Sequence, residues 1–208
     1  MHKDEIWTVI HGERRALAAD LATIDDERWA TPTQCAGWTV RDVLAHMVAT
    51  AKMTPTSFFV KLAASGFSFA KLQAKDVATF GAGGGTATLA RFSAVESSTA
   101  HPPGPTPSWL GETIVHAEDV RGALGIAHEY PIPAVVAVAD FYTGSNVLIG
   151  AKRRVEGVTL TATDTAWTHG TGPQVSGPVL QLVLAMTGRT AALDALTGDG
   201  VATLRGRP

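Results

Sequence analysis

The residues best suited to chemistry are a carboxylate and an imidazole one helical turn apart, in the run Glu112-Thr113-Ile114-Val115-His116. Residues four apart on a helix share a face and can aim two donor groups at a single ion. At about 100° per residue, Glu112, His116 and Asp119 fall within roughly 60° of arc, beside the apolar stripe of Leu110, Ala117, Val120 and Leu124. Glu118 falls well round the helix and can stay in water. The other three face the edge or interior of a bundle, where an unpaired charge is costly. A third donor has to come from another element, and His46, at the margin of its own helix's apolar stripe, is suited to supply it. Two imidazoles and a carboxylate suit zinc or another divalent transition metal, and three protein ligands leave one coordination position open for water or substrate. Asp42 and Asp119 are then expected to orient imidazole N–H groups, with Asp119 an alternative ligand. The same Glu-xxx-His spacing also occurs on ordinary helices, so spacing alone favours a plain hydrogen-bonded histidine. His2, His11, His101, His128 and His169 are expected to be solvated.

These residues have to be positioned by helices. Ile6, Val9, Ile10, Leu17, Leu21 and Ile24 recur at helical spacing and define a first amphipathic helix. After a loop holding Pro32, Cys35 and Gly37, Thr39-Val40-Arg41-Asp42 has the N-cap and N3 acidic pattern of a helix start. The helix it opens carries His46 and is expected to end before Gly66. The glycine run Gly81–Gly85 reads as a flexible bundle loop. It follows no strand and lacks the lysine of a phosphate-binding loop. A helix is expected over Thr86–Thr99, then a proline-broken stretch, Pro102 to Pro107. A fourth helix follows from about Ser108, as cap, to Leu124, with Gly125 as its stop. A fifth is expected from Pro133 to about Leu148. Beyond Lys152-Arg153-Arg154 the pattern changes to a hairpin of Val158–Thr163 and Trp167–His169, a buried helix Pro178–Met186 and a final strand Val201–Leu204. The expected fold class is mainly α: a helical domain over 1–151, then a small α/β domain over 152–208.

Composition removes several partners. With 208 residues, a formal net charge of −2 and a pI near 6.4, the chain has no electrostatic footprint for nucleic acid. No cluster of Lys and Arg in the sequence points to a membrane surface. The single cysteine, Cys35, cannot form an internal disulfide, and the first residues lack a signal peptide's apolar core, so the expected location is the cytoplasm. Cys35 itself reads as structural, since no base is evident near it.

Three segments carry a family resemblance. Cys35-Ala36-Gly37-Trp38-Thr39-Val40-Arg41-Asp42-Val43-Leu44-Ala45-His46 resembles the signature of the mycothiol-dependent maleylpyruvate isomerase family. Trp109 to Arg121 is similar to that family's other metal-bearing helix. Gly177-Pro178 through Gly188-Arg189, with Leu196 to Gly200, resembles its appended small domain. The resemblance implies a DinB-like four-helix metal-binding bundle with a small C-terminal α/β domain, and a divalent metal, zinc above others, on His46, Glu112 and His116. It also implies mycothiol as thiol cofactor. The implied function is isomerisation or S-transfer on a small electrophile of the maleylpyruvate type, with the substrate and the low-molecular-weight thiol as partners. In the isomerase a thiolate adds to an activated cis double bond, the new single bond rotates, and the thiolate leaves. Arg91, Arg121 and Arg189 are the candidate anchors for a carboxylate substrate, and Trp38 and Trp109 are candidate pocket walls or helix anchors. A metal-dependent hydrolase on the same bundle, or a non-catalytic metal- or small-ligand-binding module, is the alternative.

Overall fold

The computed structural model describes residues 1–147 and 149–207, which divide into two compact units after Glu129. The first unit holds six helices: α1 (Lys3–Leu21), α2 (Val40–Lys52), α3 (Pro55–Ala64), α4 (Phe69–Phe80), α5 (Gly84–Ser93) and α6 (Thr106–Leu124). Four of them close a ring in which α1 packs on α6, α6 on α2, α2 on α5 and α5 on α1. Ile10, Leu17, Val43, Leu44, Met47, Val48, Phe92, Leu110, Ile114 and Val120 fill its centre and are buried. The apolar spacing of α1, α2 and α6 thus becomes one core, which is where most of the folding free energy of such a bundle resides. α4 lies on α2 outside the ring, and α3 packs on α4.

The start of α2 is built as the sequence pattern requires. Thr39 accepts from the Asp42 N–H, and Asp42 Oδ2 accepts the Thr39 N–H at 3.0 Å and its hydroxyl at 2.7 Å. Where the sequence reading runs this helix on towards Gly66, the structure breaks it at Met53-Thr54. Pro55 has no N–H to donate, and its ring clashes with the preceding turn. Thr54 is extended and makes a second capping box with Ser57, so proline opens α3 instead of continuing α2. α4, capped by Ser68, is an element the pattern reading left unassigned.

The glycine run is also different from the flexible loop expected. Gly83 takes φ 86° as the N-cap of α5, and Gly85 lies flat beneath Trp29, where a Cβ would come within 2.3 Å of three ring atoms. The glycines let α5 begin in close contact with the 3₁₀ turn Asp26–Ala30. α5 ends at Ser93, short of the expected Thr99. α6 begins at Thr106, so Pro107 initiates the helix and Ser108 sits inside its first turn, its hydroxyl donating to the Pro105 carbonyl at 2.7 Å. Gly125, at φ 65°, ends α6 as expected.

The second unit begins at Tyr130 and contains α7 (Ile132–Gly144), α8 (Ala151–Arg154), strands β1 (Thr159–Ala162), β2 (Thr168–Gly170) and β3 (Gln174–Gly177), α9 (Val179–Met186) and α10 (Val201–Arg205). The sequence reading set its boundary after residue 151. The fifth helix falls here because α7 packs on the apolar α9. It ends at Gly144, and the expected end, Leu148, lies outside the described residues. The expected hairpin forms, with Leu160 opposite His169. β3 then adds parallel to β1, giving the order β2-β1-β3. The expected last strand is instead the helix α10. Thr197 takes the bridge position opposite Ser176, and Gly200 donates to the Gln174 carbonyl at 2.9 Å, so the chain has already turned off the sheet before Val201. Among the described residues no helix is long and apolar enough to cross a membrane.

The capping box gives a test of how α2 is held. Burial alone raises the Asp42 carboxyl, but the hydrogen bonds from Thr39 and Arg41 outweigh it and hold the group below its ordinary value. Because the folded value is the lower one, the stabilisation is complete above the unfolded pKa of about 4 and is lost as pH falls through the folded value. Asp42→Ala is expected to cost about 1 kcal/mol at neutral pH and to flatten the acid side of the stability profile, both measured by urea unfolding.

Candidate metal centre

α2 and α6 pack against each other, and the contact brings His46 beside Glu112 and His116. One ligand atom from each of the three lies within 4.8 Å of the other two. His46 Nε2 stands 3.7 Å from Glu112 Oε1, and the two imidazoles meet edge-on, with centroids 4.9 Å apart. Donors about 2 Å from one ion need this kind of mutual proximity, whereas 3.7 Å is too long for a hydrogen bond. Trp38, in the loop entering α2, sets its ring 5.0 Å from that of His46 and 6.4 Å from that of His116, so it walls the cluster.

The electrostatics argue for a cation. Glu112 Oε1 is buried and has no hydrogen-bond partner. Burial holds the Glu112 carboxyl above its ordinary value, and His116, the Arg14 guanidinium and a hydrogen bond from Thr50 offset only part of that rise. His46 is driven down to about 3 by burial and by its neighbour His116, so at neutral pH it is an uncharged imidazole with a lone pair to offer. A buried carboxylate oxygen facing that imidazole is an incomplete electrostatic arrangement, and a divalent ion would complete it. His116 Nδ1 meets Asp119 Oδ2 at 3.0 Å, and Asp119 is buried. The carboxylate thereby favours the tautomer with the proton on Nδ1 and leaves Nε2 as the donor.

Other residues singled out in the sequence lie elsewhere. Asp42 is committed to the cap of α2 rather than to an imidazole. Arg91 donates to the carbonyls of Phe80 and Ala82, at 3.0 and 2.6 Å, and so holds the end of α4. Arg121 is wholly buried, with Nε on Asp20 at 2.8 Å and Nη1 3.7 Å from Glu13, so it bridges α6 to α1 and is not presented to a substrate. Arg189, in the second unit, donates to the Thr187 carbonyl. Trp109 stacks on His101 at 5.5 Å, His101 in turn stacks on Trp7, and His128 pairs with Glu13 at 2.8 Å, so these histidines are not merely solvated.

The structure also adds residues that pattern reading missed. Arg14 is almost fully buried and donates to the Val95 and Ser98 carbonyls while facing Glu112 electrostatically. Its signal was present in the sequence: an arginine four residues from Ile10, within the apolar stripe of α1. Thr50, one turn beyond His46 on α2, supplies the hydroxyl to Glu112. Cys35, read as structural for want of a base, has its sulfur within 4.8 Å of a His116 ring nitrogen and an Asp119 oxygen. His116 thus belongs to two donor groups, one of imidazoles with a carboxylate and one containing a thiol. Nothing in the sequence spacing announces this, because the loop before α2 is laid over α6 by tertiary packing.

Arg121 serves as a test of these placements. Removing it leaves Asp20 without its cation and Glu13 with His128 alone, so Arg121→Ala is expected to lose about 3 kcal/mol of stability, read by chemical unfolding.

Comparison with known proteins agrees with this architecture. Residues 10–104 match the mycothiol maleylpyruvate isomerase N-terminal domain, a span that includes His46 and stops before Glu112. A crystal structure of the mycothiol-dependent maleylpyruvate isomerase aligns with a TM-score of 0.66 at 14% identity, over 96% of this chain and 93% of that one. A histidine-to-alanine mutant of that enzyme aligns with a TM-score of 0.65 at 15% identity, over the same shares of both chains. No curated protein sequence matches the chain. Over residues 10–104 the helical unit thus matches the mycothiol maleylpyruvate isomerase N-terminal domain, and the whole chain shares that enzyme's fold.

Proposed function

We propose that this chain is a divalent-metal- and thiol-dependent isomerase or S-transferase acting on a small electrophile of the maleylpyruvate type, with zinc as the metal and mycothiol as the thiol. The observation that carries the reading is the buried, unpartnered Glu112 Oε1 set beside His46 and His116. The family match and the shared fold support the choice of reaction class.

His46, Glu112 and His116 would hold the ion, and three ligands leave room for an external one. A divalent cation, when bound, supplies the Lewis acidity that makes a thiolate available at neutral pH. The chain's own groups prepare for that chemistry. Burial keeps His46 neutral, Thr50 and Arg14 favour the ionised form of Glu112, and Asp119 holds the Nδ1 proton of His116. Trp38 narrows the space beside both imidazoles. A thiolate delivered there can add to an activated double bond, and the electrophile held beside it decides whether the thiol leaves again or stays attached.

Elemental analysis of protein purified without chelator or affinity-tag metal is expected to find about one equivalent of a divalent ion, lost in His46→Ala and in His116→Ala. A metal-free wild type that takes up no added zinc would sink the proposal. With metal present, turnover or conjugation of a maleylpyruvate-type electrophile is expected only when a low-molecular-weight thiol is added, whereas hydrolytic activity without thiol would move the assignment to a hydrolase. Asp119→Asn leaves the three ligands in place but weakens the anchor on His116. Metal affinity by chelator competition is expected to fall roughly 10–100-fold.

A further inference from the structure

We infer that the α3–α4 hairpin is a docking surface for an anionic lipid bilayer. Exposed large apolar side chains are concentrated here. Phe59 is 60%, Val60 64%, Phe67 79% and Phe69 41% exposed, while the other large apolar side chains exposed among the described residues, Met1, Ile132 and Val147, are scattered. α3 buries none of its residues. Phe58 sits 5.4 Å from Phe59 and 6.4 Å from Phe69, so the rings form one aromatic patch across the two helices. At the turn between them Phe67 takes φ 58°, a left-handed conformation that bulky residues avoid, and still turns its ring to solvent. An exposed, strained aromatic contributes little to this fold. It is suited to enter an apolar phase outside it.

Charge specifies the phase. Residues 43–75 contain four lysines, Lys52, Lys61, Lys71 and Lys75, and no Asp, Glu or Arg. The next acid, Asp76, is buried and bonded to Lys61 at 2.6 Å. Lys71 and Lys75 are exposed on α4, and Lys75 donates to the Ala64 carbonyl at 3.1 Å, which holds its ammonium near the hairpin turn beside Phe67. Lys52 and Lys61 lie over the Phe80 ring, and Lys61 is paired with Asp76, so the exposed ammonium groups that the hairpin itself presents are those of Lys71 and Lys75. Phenyl rings flanked by ammonium groups match the junction of acyl chains and anionic headgroups. A fluid interface also accepts a projecting ring such as Phe67 without needing a preformed pocket. The inference does not depend on the metal centre.

The test is co-sedimentation of the full chain with vesicles of phosphatidylglycerol and phosphatidylcholine in equal parts, against vesicles of phosphatidylcholine alone. Binding is expected only to the anionic vesicles, and it should weaken as salt is raised. Phe59→Ser/Phe67→Ser should bind roughly tenfold more weakly or worse, with unchanged thermal unfolding because both rings are exposed. Lys71→Gln and Lys75→Gln should each lose roughly fivefold. A wild-type chain that stays in the supernatant with anionic vesicles overturns the inference. So does binding that the phenylalanine variant retains in full, or a dimer in sedimentation velocity that this variant dissolves while vesicles capture nothing. The last outcome would assign the patch to a second copy of the chain.

Discussion

The site depends on one constraint, the burial of a carboxylate oxygen for which the polypeptide provides no hydrogen-bond donor. Glu112 is placed by the packing of α6 into the four-helix ring, and everything around its Oε1 is arranged as though a positive charge were to arrive there. The neighbouring imidazole is kept neutral, a hydroxyl and a guanidinium favour ionisation, and a second imidazole has its far nitrogen tied to Asp119. Each feature alone has an ordinary structural explanation. Together they form a candidate metal-binding group of two imidazoles and a carboxylate.

The rigidity of that group comes from charges as well as from apolar packing. Arg14 and Arg121 both lie inside the bundle, one serving the Val95 and Ser98 carbonyls, the other linked to Asp20 and Glu13. Buried ion pairs of this kind add little net stability over apolar residues of the same volume, but breaking one of them is costly. Their value here is geometric. Arg121 fixes α6 against α1, and Arg14 ties α1 to the segment that follows α5.

Much of this was legible in the sequence where a local rule governs. The capping box of α2, the glycine stop of α6, the hairpin around Asp164-Thr165 and the Glu112/His116 spacing all rest on residues within one turn of one another. The failures have a common physical cause. Pro55 can end one helix or open the next, and only the extended Thr54 before it decides which. Val201–Leu204 carries strand-like residues, yet Thr197 had already taken the sheet edge. Arg121 and Arg91 were plausible anchors for a substrate until tertiary contacts gave them carboxylate and carbonyl partners inside the fold. Cys35 became relevant only when its loop was laid across α6.

The bridge between α1 and α6 also bears on how the protein is made. Arg121 and Asp20 are 101 residues apart, and His128 and Glu13 are 115 apart. α1 therefore leaves the ribosome long before its partner exists, and the ring cannot close until α6 has been synthesised. Long-range closure of this kind slows folding and prolongs the exposure of apolar faces. Since two of the three donors ride on α6, the cluster cannot assemble on a nascent chain that lacks that helix. Any metal would be acquired at or after the last step of ring closure, and a chain truncated before Thr106 would lack both the bundle's clamp and Glu112 and His116.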